Sequence, residues 1–302
     1  MFKYSLDNKR YHTLNYYLKS RFNRKVFKVP LNAGFGCPNK ESCIYCTKDS
    51  SSNITNDNAS LIDQFNSNVL ILEKKWPNSK YIVYFQAGTN TFCSVDTLKS
   101  LVEPLLKLDK VVGLSIATRP DQISDDMILY LSDLNKRTFL SIELGLQSSN
   151  DETLKLIKRG HDKECFSNIV KKLYKENIFI VAHIINGLPY ETKNDMLNTI
   201  KFLTKLNIEG IKIHMLYITK NTEIEELYSN EHFHILSKDE YIDIVVDQLE
   251  LLDEKVVIER ITGDPVKEDL IEPSWLLKKF VVLNDIDKEM VKRDTYQGIK
   301  KE

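Results

Sequence analysis

Apolar positions recur along this chain with two periods, and the period switches from segment to segment. Short β-branched and aromatic runs stand at 26–32 (VFKVPLN), 81–87 (YIVYFQA), 111–117 (VVGLSIA), 139–147 (FLSIELGLQ), 178–187 (IFIVAHIING) and 210–218 (GIKIHMLYI). Each runs into a polar or glycine-containing turn, which predicts six β-strands. Between them, SLIDQFNSNVLILEKKW, VDTLKSLVEPLLKL, SDDMILYLSDL, DKECFSNIVKKLYKEN and ETKNDMLNTIKFLTKL place apolar residues three and four apart. That spacing predicts helices with one face on a sheet. Ser124 followed by Asp125 and Asp126, and Glu191 with Asp195, supply the side chains that suit a helix N-terminus.

Strand and helix alternate, so the expected class is α/β with a parallel sheet. Six βα units fall short of a closed eight-stranded barrel and predict a strongly curved partial (β/α)6 TIM-like barrel. Its chemistry belongs at the C-terminal ends of the strands. The expected organisation is an N-terminal arm at 1–25, the barrel at 26–236 and an extension packed on it at 237–302. That extension reads as a long helix, a strand in KVVIERITG and a final helix.

Composition narrows the function. With 42 basic and 43 acidic residues among 302, the chain is no polycation, and nucleic-acid contact would have to be local. No run approaches the roughly 18 apolar residues of a membrane span, and the N-terminus lacks a signal-peptide pattern, so a soluble cytoplasmic protein is expected. The five cysteines are odd in number and wrongly spaced for a disulfide framework. Charge is uneven in one place. The first 28 residues hold Lys3, Lys9, Arg10, Lys19, Arg21, Arg24, Lys25 and Lys28 against Asp7, interleaved with Tyr4, Tyr11, Tyr16, Tyr17, Phe22 and Phe27. Such a stretch reads either as a phosphate-binding, base-stacking surface or as a helix whose rings pack on the barrel.

Three cysteines, Cys37, Cys43 and Cys46, follow the first strand within AGFGCPNKESCIYCTKDS. A structural zinc site would want a fourth ligand, and the next candidates, Cys93 and His161, are far along the chain. Three thiolates on a four-iron cluster leave one iron open, which suits a cluster that binds a substrate or cofactor. Cys165, inside a helix, reads as a small buried hydrophobe, and Cys93 follows a turn at the active end.

The spacing C-x5-C-x2-C, with Tyr45 inside the last pair, resembles the radical S-adenosylmethionine (SAM) superfamily. Within it the chain looks most like the bacterial YhcC/YtqA group, related to the catalytic subunit of Elongator. The matching segments are RYHTLNYYLKSRF, FQAGTNT, GLSIATRPD, ELGLQS, RITGD and RDTYQG; the loop between the first two cysteines is shorter than in those relatives. The resemblance implies a 4Fe-4S cluster on Cys37, Cys43 and Cys46, with SAM chelating the open iron. It implies SAM contacts at Ala87 and Gly88 after the second strand, at Glu143 and Gln147 on the fourth, at Arg159, and at Gly187 and Pro189 after the fifth. His183 replaces the acidic residue of the fifth-strand pattern, which leaves Glu143 as the ribose candidate.

For the substrate, Lys212 and His214 alternate with Ile211 and Ile213, so both share one face, expected to be the barrel interior. Lys212 or Arg260 would meet a substrate carboxylate, and His214 would handle protons. Asn90, Thr118 and Arg119 end strands at the active face, and His161 could orient Arg159 or cap a helix. The resemblance implies reductive cleavage of SAM to a 5′-deoxyadenosyl radical, an electron donor such as flavodoxin or ferredoxin, and tRNA as partner. The expected target is the wobble uridine, taken from 5-carboxymethylaminomethyluridine to 5-aminomethyluridine. A small metabolite or protein side chain as substrate, and a non-catalytic metal-containing RNA-binding protein, remain as alternatives.

Overall fold

The computed structural model describes residues 2–39, 43–46 and 59–301. The elements are α1 (Leu14–Phe22), β1 (Val26–Leu31), α2 (Leu61–Lys75), β2 (Lys80–Phe85), α3 (Val95–Leu106), β3 (Val111–Thr118), α4 (Asp125–Arg137) and β4 (Phe139–Gln147). There follow α5 (Asp151–Leu156), α6 (Lys163–Lys175), β5 (Phe179–Asn186), α7 (Lys193–Thr204), β6 (Gly210–Met215), β7 (Ile218–Thr219) and α8 (Glu223–Glu231). The chain ends with α9 (Lys238–Leu251), β8 (Val257–Arg260), β9 (Leu270–Glu272) and α10 (Lys279–Lys292). All six expected barrel strands form, and the polar stretch TKDSSSNITNDNAS (47–60) lies outside the described residues except for Ala59 and Ser60.

The strands build one seven-stranded sheet in the order β1-β2-β3-β4-β5-β6-β8, parallel throughout. The sheet curls into a half-barrel, so the partial-barrel expectation holds with a seventh strand added. The strand expected within the extension is that seventh: Gly210, Ile211 and Lys212 of β6 pair with Val257, Ile258 and Arg260. The sixth run breaks at Leu216, and β7 pairs instead with β9 in a small antiparallel sheet. Side chains such as Val83, Leu114, Ile142 and Ile180 point outward beneath the helices and are fully buried there.

Helix starts follow the residues available. Ser124 accepts from Met127 N, and Thr192 and Asp195 form a reciprocal capping box. Glu191 stands outside α7, contrary to the first-turn expectation; its carboxylate accepts from Ser148 Oγ and, desolvated, titrates at about 7.

The arm covers the start of the barrel. Leu18 packs on Val26, Ile82 and Phe139, near the N-terminal ends of their strands. Tyr17 meets the rings of Phe139 and Phe179 at centroid distances of 6.3 and 5.0 Å. The backbone also crosses the gap between the two edge strands, because Thr13 bridges to Ile258 of β8 while α1 runs into β1. Lys3, Lys9 and Arg10 are paired with Glu254, Asp287 and Asp294. The rings therefore pack rather than stand free, and α1 sits at the end of the barrel away from the cysteines.

Candidate active site

The C-terminal ends of the strands open into a cavity of about 950 Å³. Its walls include Cys37, Cys46, Gly88, Gln147, Arg159, Lys212, His214 and Arg260. That volume lies in the range of small-ligand sites.

The cysteine turn is held by its own apolar residue. Ile44 is buried in a cluster with Leu154, Ile157, Leu216 and Ile224. Its N–H donates to Ile157 O at 3.3 Å, and its carbonyl accepts from Ile224 N at 2.9 Å. With Ile44 pinned behind the wall, Tyr45 and Cys46 reach the cavity. Cys43 lies behind, in hydrogen-bond contact with Cys46. That contact, then the Arg159 charge and the Asn39 amide, bring the Cys43 thiol down to about 5 against the opposing effect of burial. Cys46 carries the matching upward shift, first from the same bond and then from burial.

The loop after β2 packs on the cysteine loop through backbone. Thr89 N donates to Gly36 O at 3.0 Å, and a Cβ on Gly88 would stand 2.1 Å from Phe35 O. With φ at +77°, residue 88 has two independent reasons to be glycine.

Arg159 is buried between these parts. Its Nη2 donates to Gly145 O at 2.8 Å, while its Nε is buried with no partner among the described residues. Gly145 leaves room for it: a Cβ there would lie 2.6 Å from Nη2. Arg119 supports the same loop, donating from Nη1 to Arg159 O at 2.9 Å while Asp121 holds its other nitrogens at 3.0 and 2.9 Å. His161 is held neutral, titrating at about 4 through burial and then the Arg159 charge.

The cavity floor is a buried set of alternating charges. Glu143 Oε1 accepts from Lys28 Nζ at 2.8 Å and Ser115 Oγ at 3.0 Å. Its Oε2 accepts from Tyr84 OH at 2.7 Å, His183 Nε2 at 3.0 Å and Lys212 Nζ. Lys28 also donates to Glu259 Oε2 at 2.6 Å, and Lys212 lies 3.7 Å from the same oxygen. Burial would raise the Glu143 carboxyl, but Lys212 and Lys28 overcome it and hold it well below the usual range. Two lysines against two glutamates leave this floor without net charge.

Arg260 is different. Among the described residues its guanidinium has no hydrogen bond or ion pair, and it lines the cavity beside His214. The His214 and His183 rings stack at 5.7 Å, and burial, followed by neighbouring positive charge, keeps His214 neutral, with its Nε2 unpartnered among the described residues.

The chain matches the model of the radical SAM superfamily over residues 31–203 and that of the radical SAM C-terminal domain over 208–292. It belongs to the radical SAM superfamily. It is 45% identical to YtqA of Bacillus subtilis over 98% of this chain and 94% of that protein. Half of it, 51%, is 27% identical to 29% of the tRNA uridine(34) acetyltransferase of Methanocaldococcus infernus. Its fold superposes on the Elp3 structure from Methanocaldococcus infernus with a TM-score of 0.68 at 20% identity. That match covers 90% of this chain but 63% of the other, so this radical SAM chain spans about two thirds of its structural neighbour.

Radical SAM enzymes use a 4Fe-4S cluster and S-adenosylmethionine, and those are this protein's cofactors. The residues fit them. One loop supplies three sulfurs, a cavity of suitable size adjoins it, and a buried arginine with a free Nε stands beside both. The described residues contain no ready-made trio at metal-binding distances. Residues 40–42, between Cys37 and Cys43, lie outside the described set.

Of the other expected SAM contacts, Gly88 and Gln147 line the cavity. Ala87 is buried off the wall; Gly187 turns away, its N–H 3.2 Å from Met196 Sδ and its Cα face against Leu236, and Pro189 is likewise off the wall. Thr118 and Arg119 line the cavity, whereas buried Asn90 braces strand ends through Phe85 O and Ala117 O. Cys93 and Cys165 lie off the wall too. Sequence reasoning missed Ile44, Tyr84 and Glu259, and placed Lys28 in the arm's basic set. The usable signal for Lys28 was a lone charge in an otherwise apolar strand.

Proposed function

We propose that this radical SAM enzyme modifies tRNA at the wobble uridine, converting the 5-carboxymethylaminomethyl group to 5-aminomethyl. The observation that carries the reading is Arg260: a guanidinium at the cavity wall, unpaired among the described residues, above a charge-neutral floor and suited to one carboxylate. Partial similarity to a tRNA uridine(34) acetyltransferase supports tRNA as the class of substrate. An anticodon base is single-stranded and turns into such a cavity at small unstacking cost.

In this reading Cys37, Cys43 and Cys46 hold the cluster, and Arg159 pairs through its free Nε side with the methionyl carboxylate of SAM. Together the bound cofactors supply a 5′-deoxyadenosyl radical. Gly88 and Gln147 line the SAM side of the cavity. Glu143 serves as anchor of the floor rather than as ribose ligand, since its two oxygens already accept five donors. Lys212 is held by Glu143 and Tyr84, so the carboxylate falls to Arg260. Neutral His214, on the cavity wall, handles the proton of the substrate amine.

The methylene between amine and carboxylate has weakened C–H bonds, because a radical there is stabilised by both neighbours. The hydrogen atom lost there goes to the adenosyl radical, one electron goes to an oxidised iron–sulfur or flavin protein, and the amine proton passes to His214 on the cavity wall, which leaves an imine. Water then divides it into glyoxylate and the aminomethyl nucleoside. The test supplies reduced enzyme, SAM and tRNA deuterated at that methylene. Deuterium in 5′-deoxyadenosine, with glyoxylate and the aminomethyl nucleoside, is the expected result. An unchanged tRNA beside SAM cleavage driven by a peptide or small metabolite would overturn it.

A further inference from the structure

We infer that Asn39 is a positioning residue, joining the cluster loop to the arginine loop through one carboxamide and tuning the cluster's potential. Its Nδ2 lies 3.1 Å from Cys43 Sγ, 2.7 Å from Lys158 O and 3.0 Å from Arg159 O. An amide nitrogen has two hydrogens, so three acceptors compete for two donors. The neighbours dictate its orientation: turned over, Oδ1 would face two carbonyl oxygens and a thiolate. Instead Oδ1 rests on Gly160, where a Cβ would stand 2.9 Å from it and where φ is +80°.

The same residue also meets Cys43 through its backbone, because Asn39 O accepts from Cys43 N at 3.2 Å. Arg159 O therefore receives Asn39 from one side and Arg119, at 2.9 Å, from the other. Asn39 does not line the cavity. It acts through Cys43 and Arg159.

The chemical consequence lies at sulfur. An N–H aimed at a ligating thiolate favours the more negative, reduced cluster, and hydrogen bonds to the sulfurs are among the factors that set such potentials. Removing it should make the cluster harder to reduce. Freeing the 158–160 loop should at the same time loosen Arg159 against its anion. The inference stands on the family's cofactors and not on the tRNA reading, so either can fail alone.

The test uses the full chain, reconstituted anaerobically with iron and sulfide, as Asn39→Leu and Asn39→Asp. Aspartate keeps the size and removes both hydrogens. Iron content, thermal unfolding, midpoint potential followed by electron paramagnetic resonance, and SAM affinity by equilibrium binding are measured. Both variants should keep their iron and show a roughly tenfold smaller ratio of reduced to oxidised cluster at fixed potential, about 59 mV more negative for one electron. SAM affinity should fall about tenfold. An unchanged potential in both variants would overturn the tuning role. A shifted potential with unchanged SAM affinity would overturn the link to Arg159. Loss of iron from both, with unfolding unaltered, would make Asn39 an assembly residue and also overturn the proposal.

Discussion

Lys28 and Glu259 stand on the two edge strands of an open sheet, and their side chains meet at 2.6 Å across its interior. Lys28 belongs to β1 and Glu259 to β8, which share no backbone ladder. Glu143 and Lys212 complete the set, so four alternating charges join β1, β4, β6 and β8. The pair closes from within a barrel that its strands leave open.

Breaking this pair from one side strands a buried charge. Lys28→Met should cost about 3–5 kcal/mol. The double change Lys28→Met with Glu259→Leu leaves the Lys212–Glu143 pair balanced and should cost less than Lys28→Met alone. Urea unfolding of Lys28→Met, Glu259→Leu, the double variant and the parent chain measures the cycle, and additive costs would show that the pair is not coupled.

Gly88→Ala puts a methyl group onto Phe35 O and forces a left-handed residue, a conformational cost of about 1–3 kcal/mol before the clash is relieved. Relief means moving the cysteine loop. Iron bound after reconstitution should therefore drop further than thermal stability does. Full iron loading in this variant would show that the loop tolerates the shift.

Arg260→Met should leave iron content, SAM binding and uncoupled SAM cleavage intact, while cleavage stimulated by tRNA disappears. Lys212→Met should instead lower stability. Equal stability losses in the two variants would place Arg260 in the structural floor.

Acidity acts through Glu191. Its buried carboxyl titrates near 7 instead of 4.5, so the folded state holds a proton that the unfolded chain releases. That contribution is complete below about pH 4.5 and is lost as pH rises through 7, amounting to about 3 kcal/mol. Glu209, raised to about 7 by burial, adds in the same direction. Unfolding free energy measured at pH 5 and pH 8 should fall less in Glu191→Gln than in the parent chain. Identical slopes would exclude the group.

What the sequence determined by itself was local. The period-2 and period-3.6 patterns gave every strand of the first six βα units, because one apolar face against helices is enough to specify each. The cysteine spacing after a strand marked the loop that borders the cavity, and resemblance to relatives named Arg159, Gly88 and Gln147, which line it. The charges could not be assigned that way. Lys28 and Lys212 lie 184 positions apart, yet both reach Glu143 because the sheet curls. Glu259 and Arg260 are consecutive, and in a regular strand they would point to opposite faces. A register irregularity between β6 and β8 sets Lys212 opposite Arg260 and leaves Glu259 as the extra residue, so that both serve the interior. One then joins the ion set, and the other has no partner among the described residues. Alternation alone carries no information about such a bulge, or about which cation finds a carboxylate, since both depend on strands brought together only when the sheet closes around its floor.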